Sequence, residues 1–394
     1  MLGRVAPLAL LALAWACSDE SGGGPAVVGD GGVDASSDAE LDAGADTALD
    51  AQADAVLDGS PDAALFVPGD KILLSVENPG HLDEDPSVIL AKDGSLHVAW
   101  FSQRNGNPDI YVKRTQDGKT WTETRVTQSP SADYYPSLIQ DSAGHFHLTW
   151  FRWTAFQVGG IWHASSDDGI TWNAEEPVTT TANVDDWTPS IAEAKNGDLF
   201  VAFASSKRNP SALSQIYLVK KPAGQSVWLP VVEPAGLGSA SQDDMLPILA
   251  STGPSLSLAW VRCQAGGPDP CLVPSSNLFY ASSTDGTSWS APKKITNDTP
   301  DDVVDTLPSL YPDLADNWSL LWLSTRTGSV QTSDLPLASL GNYPAAAKVS
   351  TAFDGYSPHA APTPTPGVFL GVWVEDTDPN DKNKKDVFYR FFGK

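Results

Sequence analysis

The sequence predicts an all-β fold: a six-bladed β-propeller of four-stranded blades, closed by an N-terminal strand that completes the last blade. Three observations carry this reading: a proline-led repeat, a strand-and-turn pattern inside each repeat, and a final repeat one strand short. The proline recurs at Pro86, Pro136, Pro189, Pro247, Pro308 and Pro358, 50 to 61 residues apart. A recurring period of that length marks a repeat architecture.

Each unit has the same elements in the same order. A turn follows the proline strand, as "KDGS" at Lys92, "SAGH" at Ser142, "KNGD" at Lys195, "STGP" at Ser251, "ADNW" at Ala315 and "TPGV" at Thr365. Gly, Asn and Asp accept the positive φ that tight hairpins need. An alternating strand comes next, with an aromatic in register at Trp100, Trp150, Phe203, Trp260, Trp322 and Trp373. The third strand is clearest as "DIYVKR", "GIWHAS", "QIYLVK", "NLFYAS" and "DVFYRF". The last unit ends there, at "DVFYRFFGK", whereas Lys71 to Val76 reads as a fourth strand ahead of the first proline. Pairing the two joins the chain ends and removes the open seam.

Residues 1–17 read as a lipoprotein-type signal: Arg4, an apolar run too short to span a bilayer, and small residues ahead of Cys17. The lipobox-like pattern makes Cys17 the expected lipidation site. An ordinary secretory signal is the alternative, and both imply an extracytoplasmic protein, with a lipid anchor to an outer membrane or cell surface under the first. Residues 18–66 form an Asp/Ala-rich linker with twelve acidic residues and no basic ones, and Asp recurs every fourth position from Asp30 to Asp62. In a helix those like charges would repel along one stripe, so a solvated tether is expected. Residues 67–394 hold the propeller. The net charge is −25, about half of it outside the linker, which argues against nucleic acid as a partner. Cys263 and Cys271 lie in "CQAGGPDPC", a close pair expected to form a disulfide in an oxidising compartment.

Between the third and fourth strands of the second unit lies "ASSDDGITWNAE", with related segments ending at Trp121, Trp289 and, in decayed form, Trp228. The spacing Ser165, Asp167, Gly169, Thr171, Trp172 resembles the Asp-box, or BNR repeat, of the sialidase-like β-propellers. Its expected role is to stitch a turn. In that family the functional face lies opposite the Asp-boxes, and the resemblance implies the same here.

On that face an aspartate stands three residues before the proline at Asp83, Asp133, Asp186, Asp244 and Asp305, displaced by one in the sixth unit as Asp354. An arginine follows the second strand at Arg104, Arg152, Arg208, Arg262 and Arg326. This ring is either a set of ion pairs or a polar cup for sugar hydroxyls, a cation or a charged partner. Tyr134, Trp187 and Tyr356 are aromatics placed to stack on a ligand. His97 and His147, at a strand position that accepts many residue types, read as packing. The sialidase resemblance implies three arginines on a substrate carboxylate, for which Arg152, Arg262 and Arg326 are available, and a Tyr/Glu pair. However, the family's Arg-Ile-Pro motif is replaced by "DEDPSV".

Two functions follow as expectations. The first is non-catalytic binding of a glycan or protein at the cell surface, by a monomer that meets membrane only through its lipid anchor. The second is a secreted glycoside hydrolase acting on envelope or extracellular polysaccharide. No cofactor and no metal are expected, with Ca2+ at "EDTDPNDKNKKD" as a minor alternative.

Overall fold

The computed structural model describes residues 66–75, 81–155, 158–182, 184–208, 213–264, 276–296, 303–325, 331–337, 348–350, 355–377 and 384–393. Residues 1–65, together with Asp301, Asp302, Arg326, Asp354, Asp378 and Cys271, lie outside them; Phe66, expected to end the linker, is instead buried against Phe391.

The fold is an all-β propeller with blades of four antiparallel strands. Sheet 1 comprises Asp83–Leu90, Leu96–Ser102, Asp109–Thr115 and Thr122–Arg125; sheet 2 comprises Ala132–Gln140, Phe146–Ala155, Val158–Ser166 and Glu176–Pro177. Sheet 3 has three strands, Asp186–Glu193, Leu199–Ser205 and Gln215–Lys221. Sheet 4 comprises Gln242–Thr252, Ser255–Gln264, Asn277–Ser283 and Lys293–Lys294; sheet 5 comprises Asp305–Pro312, Trp318–Ser324, Gln331–Pro336 and Lys348–Ser350. Sheet 6 is Tyr356–Pro362, Val368–Asp376, Lys385–Gly393 and, from the other end of the chain, Ile72–Leu73.

The expectation of four strands in every unit is therefore corrected at sheet 3. Its outer position is reduced to one bridge between Leu218 and Val232. The segment "KPAGQSVWLPVVEP" explains the loss, because Pro222, Pro230 and Pro234 remove the donors a ladder strand requires. Ile72 pairs with Tyr389 and Leu73 with Phe388. The first strands of successive sheets lie side by side, and that of sheet 6 adjoins that of sheet 1.

The second strands explain the packing. Leu96–Ser102 and Leu199–Ser205 are buried at every residue, sandwiched between neighbouring sheets. Trp100, Trp150, Trp260, Trp322 and Trp373 are all at most 1% exposed. Replacing one such Trp by Ala costs roughly 3–5 kcal/mol in lost transfer and cavity terms.

The Asp-box turns lock neighbouring sheets together, with a register that differs from the one expected. Ser166 Oγ accepts from Gly169 N (2.8 Å), and Asp168 Oδ1 accepts from the amides of Ile170 (2.8 Å) and Thr171 (2.6 Å). Ser165 instead accepts from Asn173 Nδ2, and Asp167 lies exposed 3.8 Å from His145. With this register Thr115, Asp117 and Gly118 in sheet 1, and Ser283, Asp285 and Gly286 in sheet 4, make the same bonds. A Cβ on Gly169 would come within 2.5 Å of His97 in sheet 1, and one on Gly286 within 2.2 Å of Phe200 in sheet 3. His97 is thus an inter-sheet contact, buried and bonded to Ser95 Oγ at 2.8 Å. His147 is buried against His163 at the junction of sheets 2 and 3, where the box is decayed; its Nδ1 lies 3.0 Å from His163 Nε2.

Candidate functional site at the channel neck

The proline repeat builds a feature that the residue types do not announce. In all six sheets two residues, the proline and the one before it, oppose a single residue of the second strand, the register aromatic. This is a β-bulge, and a proline there forfeits no ladder bond. The preceding residue adopts the left-handed conformation each time: Asp85 (φ 54°), Tyr135 (53°), Thr188 (48°), Leu246 (52°), Leu307 (51°) and Ser357 (50°). Such a conformation costs a non-glycine residue on the order of 1–3 kcal/mol. Six bulges turn these six residues toward the axis, where with five of the six prolines they line a neck of about 90 Å³. Below them Ser87, Ser137 and Ser190 staple each first strand to the next by accepting from the amides of Leu138, Ile191 and Leu249.

The aspartate ring sits just outside the neck and is largely committed. Asp133 receives Arg152 Nε (2.6 Å) and Nη2 (2.8 Å), Asp186 receives Arg208 (2.7 and 2.6 Å), and Asp244 receives Arg262 (2.6 and 2.8 Å). Asp83 accepts the Trp100 indole N–H (3.2 Å), and Asp305 accepts from Trp322 (3.0 Å) and Ser324 (2.7 Å). Arg104 turns to Glu123 (2.7 Å) and stacks 3.7 Å above Tyr111. Arg326 and Asp354 lie outside the described residues. At Gly355 any Cβ would meet Val374 O at 1.9 Å, so the ring position of sheet 6 carries no side chain. Glu375 takes over there, accepting the Trp373 indole N–H at 2.6 Å. Burial pushes the Asp83 and Asp133 carboxyls up to about 6 despite their partners, and also raises Asp244.

The aromatics fall differently from the sequence expectation of exposed stacking groups. Trp187 is 3% exposed and belongs to the core. Tyr134 is half-buried, edge-on to Phe101 at 4.9 Å. Tyr356 is half-buried; its hydroxyl lies 3.2 Å from Asp376 Oδ1 and 3.4 Å from Glu84 Oε1. Cys263 is buried with Sγ 3.8 Å from Asp243 O, and its expected partner Cys271 lies outside the described residues. Among the described residues no three acidic, histidine or cysteine side chains converge as a metal cage.

One carboxyl is left uncommitted at the neck. Asp85 makes no hydrogen bond among the described residues and lines the narrow cavity. Burial and the neighbouring Glu84 charge push it well above the usual carboxylate range, against the pull of Lys385. Glu84 itself is salt-bridged to Lys385 Nζ at 2.5 Å. Burial, with the Glu84 and Asp376 charges, holds the Tyr356 hydroxyl protonated, and burial, Glu84 and Asp133 push Tyr134 up to about 12. The site therefore couples a carboxyl raised well above the usual range with Glu84, ion-paired to Lys385, and the hydroxyls of Tyr134 and Tyr356 beside it, across the neck from Leu246 and Leu307.

The fold has counterparts among solved structures. A protein of unknown function from Dyadobacter fermentans matches with a TM-score of 0.63 at 14% identity, over 82% of this chain and 98% of that one. The GH93 α-L-arabinofuranosidase of Fusarium graminearum, solved with arabinobiose, matches at 0.62 and 16%, over 83% and 98%. The leech intramolecular trans-sialidase matches at 0.53 and 10%, over 84% and 70%. At these identities the likeness shows a shared propeller fold. No protein-family model and no curated protein sequence matches the chain.

Proposed function

We propose that the chain is a glycoside hydrolase acting on a neutral sugar at the channel neck, with Asp85 as the proton donor. The observation that carries this is a neck carboxyl without a hydrogen-bond partner among the described residues, its pKa pushed well above the usual carboxylate range by burial and the Glu84 charge. A general acid for glycosidic cleavage needs a pKa raised in this way to carry its proton at neutral pH. Glu84, on the Lys385 ammonium and near the Tyr356 hydroxyl, is the second carboxylate of the pair such chemistry uses.

A neutral sugar is favoured because Arg152 and Arg262, two of the three arginines expected on a substrate carboxylate, are each bidentate on a buried aspartate, as is Arg208; the third, Arg326, lies outside the described residues. The acidic chain adds repulsion. The arabinofuranosidase neighbour, solved with a neutral disaccharide, supports the hydrolase over non-catalytic binding. The finer architecture is part of the same proposal: six blades closed by Ile72–Leu73, export through residues 1–17, lipidation at Cys17, and residues 18–65 as a tether.

The test is hydrolysis of a panel of neutral chromogenic and natural glycosides, α-L-arabinofuranosides included. Asp85→Asn is expected to lower kcat by about 10²–10⁴ on natural leaving groups and less on activated aryl ones, which need no proton. A silent panel, or an Asp85→Asn variant with unchanged kcat, overturns the proposal.

A further inference from the structure

We infer that the opposite end of the channel is a second saccharide site, built on the first hairpin of sheet 5, with His359 on the wall that it shares with the neck. A cavity of about 520 Å³ opens there, within the range of small-molecule sites. Its rim is not six-fold. In sheets 1 and 2 the hairpin is tied off by the next sheet: Gln140 Oε1 accepts from Lys92 N (2.7 Å), and Glu193 accepts from Ser142 N (2.6 Å) and Oγ (2.7 Å).

Sheet 5 departs from this pattern. Where the hairpins of sheets 1, 2 and 3 place Gly94, Gly144 and Gly197 in a positive-φ turn, sheet 5 has Asp316 at φ 59°. Its Oδ1 accepts the Trp318 indole N–H at 2.6 Å. Trp318 occupies the position of Leu96, Phe146 and Leu199, all buried, yet it is half-buried and lines the cavity beside Leu314, which is 50% exposed. The carboxylate fixes the ring without covering it. Asp316 Oδ2 makes no hydrogen bond among the described residues. His359 reaches the same cavity from the wall, in the place of the stapling serines, with Nδ1 3.2 Å from Ser309 Oγ and no hydrogen bond at Nε2 among the described residues.

An oriented indole face with a carboxylate oxygen and an imidazole nitrogen around it suits a neutral sugar ring, whose C–H face stacks while its hydroxyls donate to oxygen and nitrogen. The charge of the chain disfavours anionic ligands at the same place. This site would hold a neighbouring part of a glycan and leave the chemistry to the neck, so it stands whether or not the neck is catalytic.

The experiment uses the full chain in native gels containing a neutral polysaccharide: arabinan, galactan, mannan or β-glucan. Retardation by at least one of them is expected. Trp318→Ala is expected to weaken it about tenfold or more, with hydrolysis of a small aryl glycoside unchanged, and Asp85→Asn is expected to be retarded like the wild type. If Trp318→Ala does not fold, Asp316→Gly, which restores the residue of the other hairpins and frees the indole, is expected to fold and weaken binding. No retardation by any of the four, or equal retardation of whichever Trp318→Ala or Asp316→Gly variant folds, overturns the inference. Loss of hydrolysis alone in Asp85→Asn bears only on the neck.

Discussion

Arg152→Met should destabilise the protein far more than loss of a surface charge. Arg152 spans two acids in different surroundings. Asp133 is fully buried and accepts two bonds, of 2.6 and 2.8 Å, while Glu175 accepts one of 2.7 Å with its side chain 26% exposed. On removal of the guanidinium Glu175 relaxes into water, and that pair contributes under about 1 kcal/mol. Asp133 has no such recourse: burial already holds its carboxyl at about 6 with the arginine present. An uncompensated buried charge costs about 3–5 kcal/mol, reduced as the carboxyl takes up a proton. A melting-temperature drop of about 4–7 °C is expected, nearly unchanged between low and high salt because the pair is shielded from ions. Lys71→Met, which removes the exposed bridge to Glu375 (2.7 Å), serves as the reference and should cost under about 1 kcal/mol. Calorimetry on both variants decides. An Arg152→Met protein within 1 kcal/mol of wild type, or a deficit that disappears in high salt, would refute the reasoning.

Two sets of buried groups oppose each other between pH 7 and 4: His97, His147 and His359, held down to about 4 by burial, withdraw stability as pH falls below the unfolded value near 6.5, while three aspartates add it. Asp83, Asp133 and Asp185 have folded pKa values raised to about 6, so their contribution is complete below the unfolded value near 4 and is lost as pH climbs through 6. Asp168 is held down to about 2 by turn amides, so its contribution is present above pH 4 and is lost only as pH falls toward 2. The melting temperature should therefore change little between pH 7 and 4, where the two sets offset each other, and fall steeply between pH 4 and 2; a profile that stays flat down to pH 2 would contradict the assignment. In the second sheet Asp168→Ala should lower stability by about 1 kcal/mol, since two amides lose their acceptor. Asp167→Ala should leave the melting curve unchanged, and the reverse order would restore the other Asp-box register.

The strand order and the register aromatics were legible because a repeat multiplies each weak signal by six. The ring of aspartates and arginines was legible for the same reason, but its role was not. A residue recurring from unit to unit answers a recurring structural need, here the bidentate arginine pairs on Asp133, Asp186 and Asp244 and the indole N–H on Asp83 and Asp305. The uncommitted group, Asp85, occurs once and was hidden among Glu84 and Asp83. Its special position follows from backbone geometry, and Asp, Tyr, Thr, Leu and Ser give no common hint of a left-handed residue. The signal was the proline, which inside a strand implies a bulge. The Asp-box register slipped because Ser165 and Ser166, and Asp167 and Asp168, are doubled; alignment on Asp117–Gly118 and Asp285–Gly286 resolves it. Trp187 was misplaced because its exposure depends on how sheets 2 and 3 meet, which no single strand encodes.

The collar of bulges separates two problems that most binding sites must solve together. Its backbone is set by six prolines and the tryptophan or phenylalanine opposite each, while the six side chains it offers the axis differ freely in size, charge and polarity. A change at one of those positions alters what the aperture admits without asking the scaffold to adapt. Divergence in ligand preference within this architecture can therefore proceed through single substitutions at the aperture, each tried on an unchanged frame.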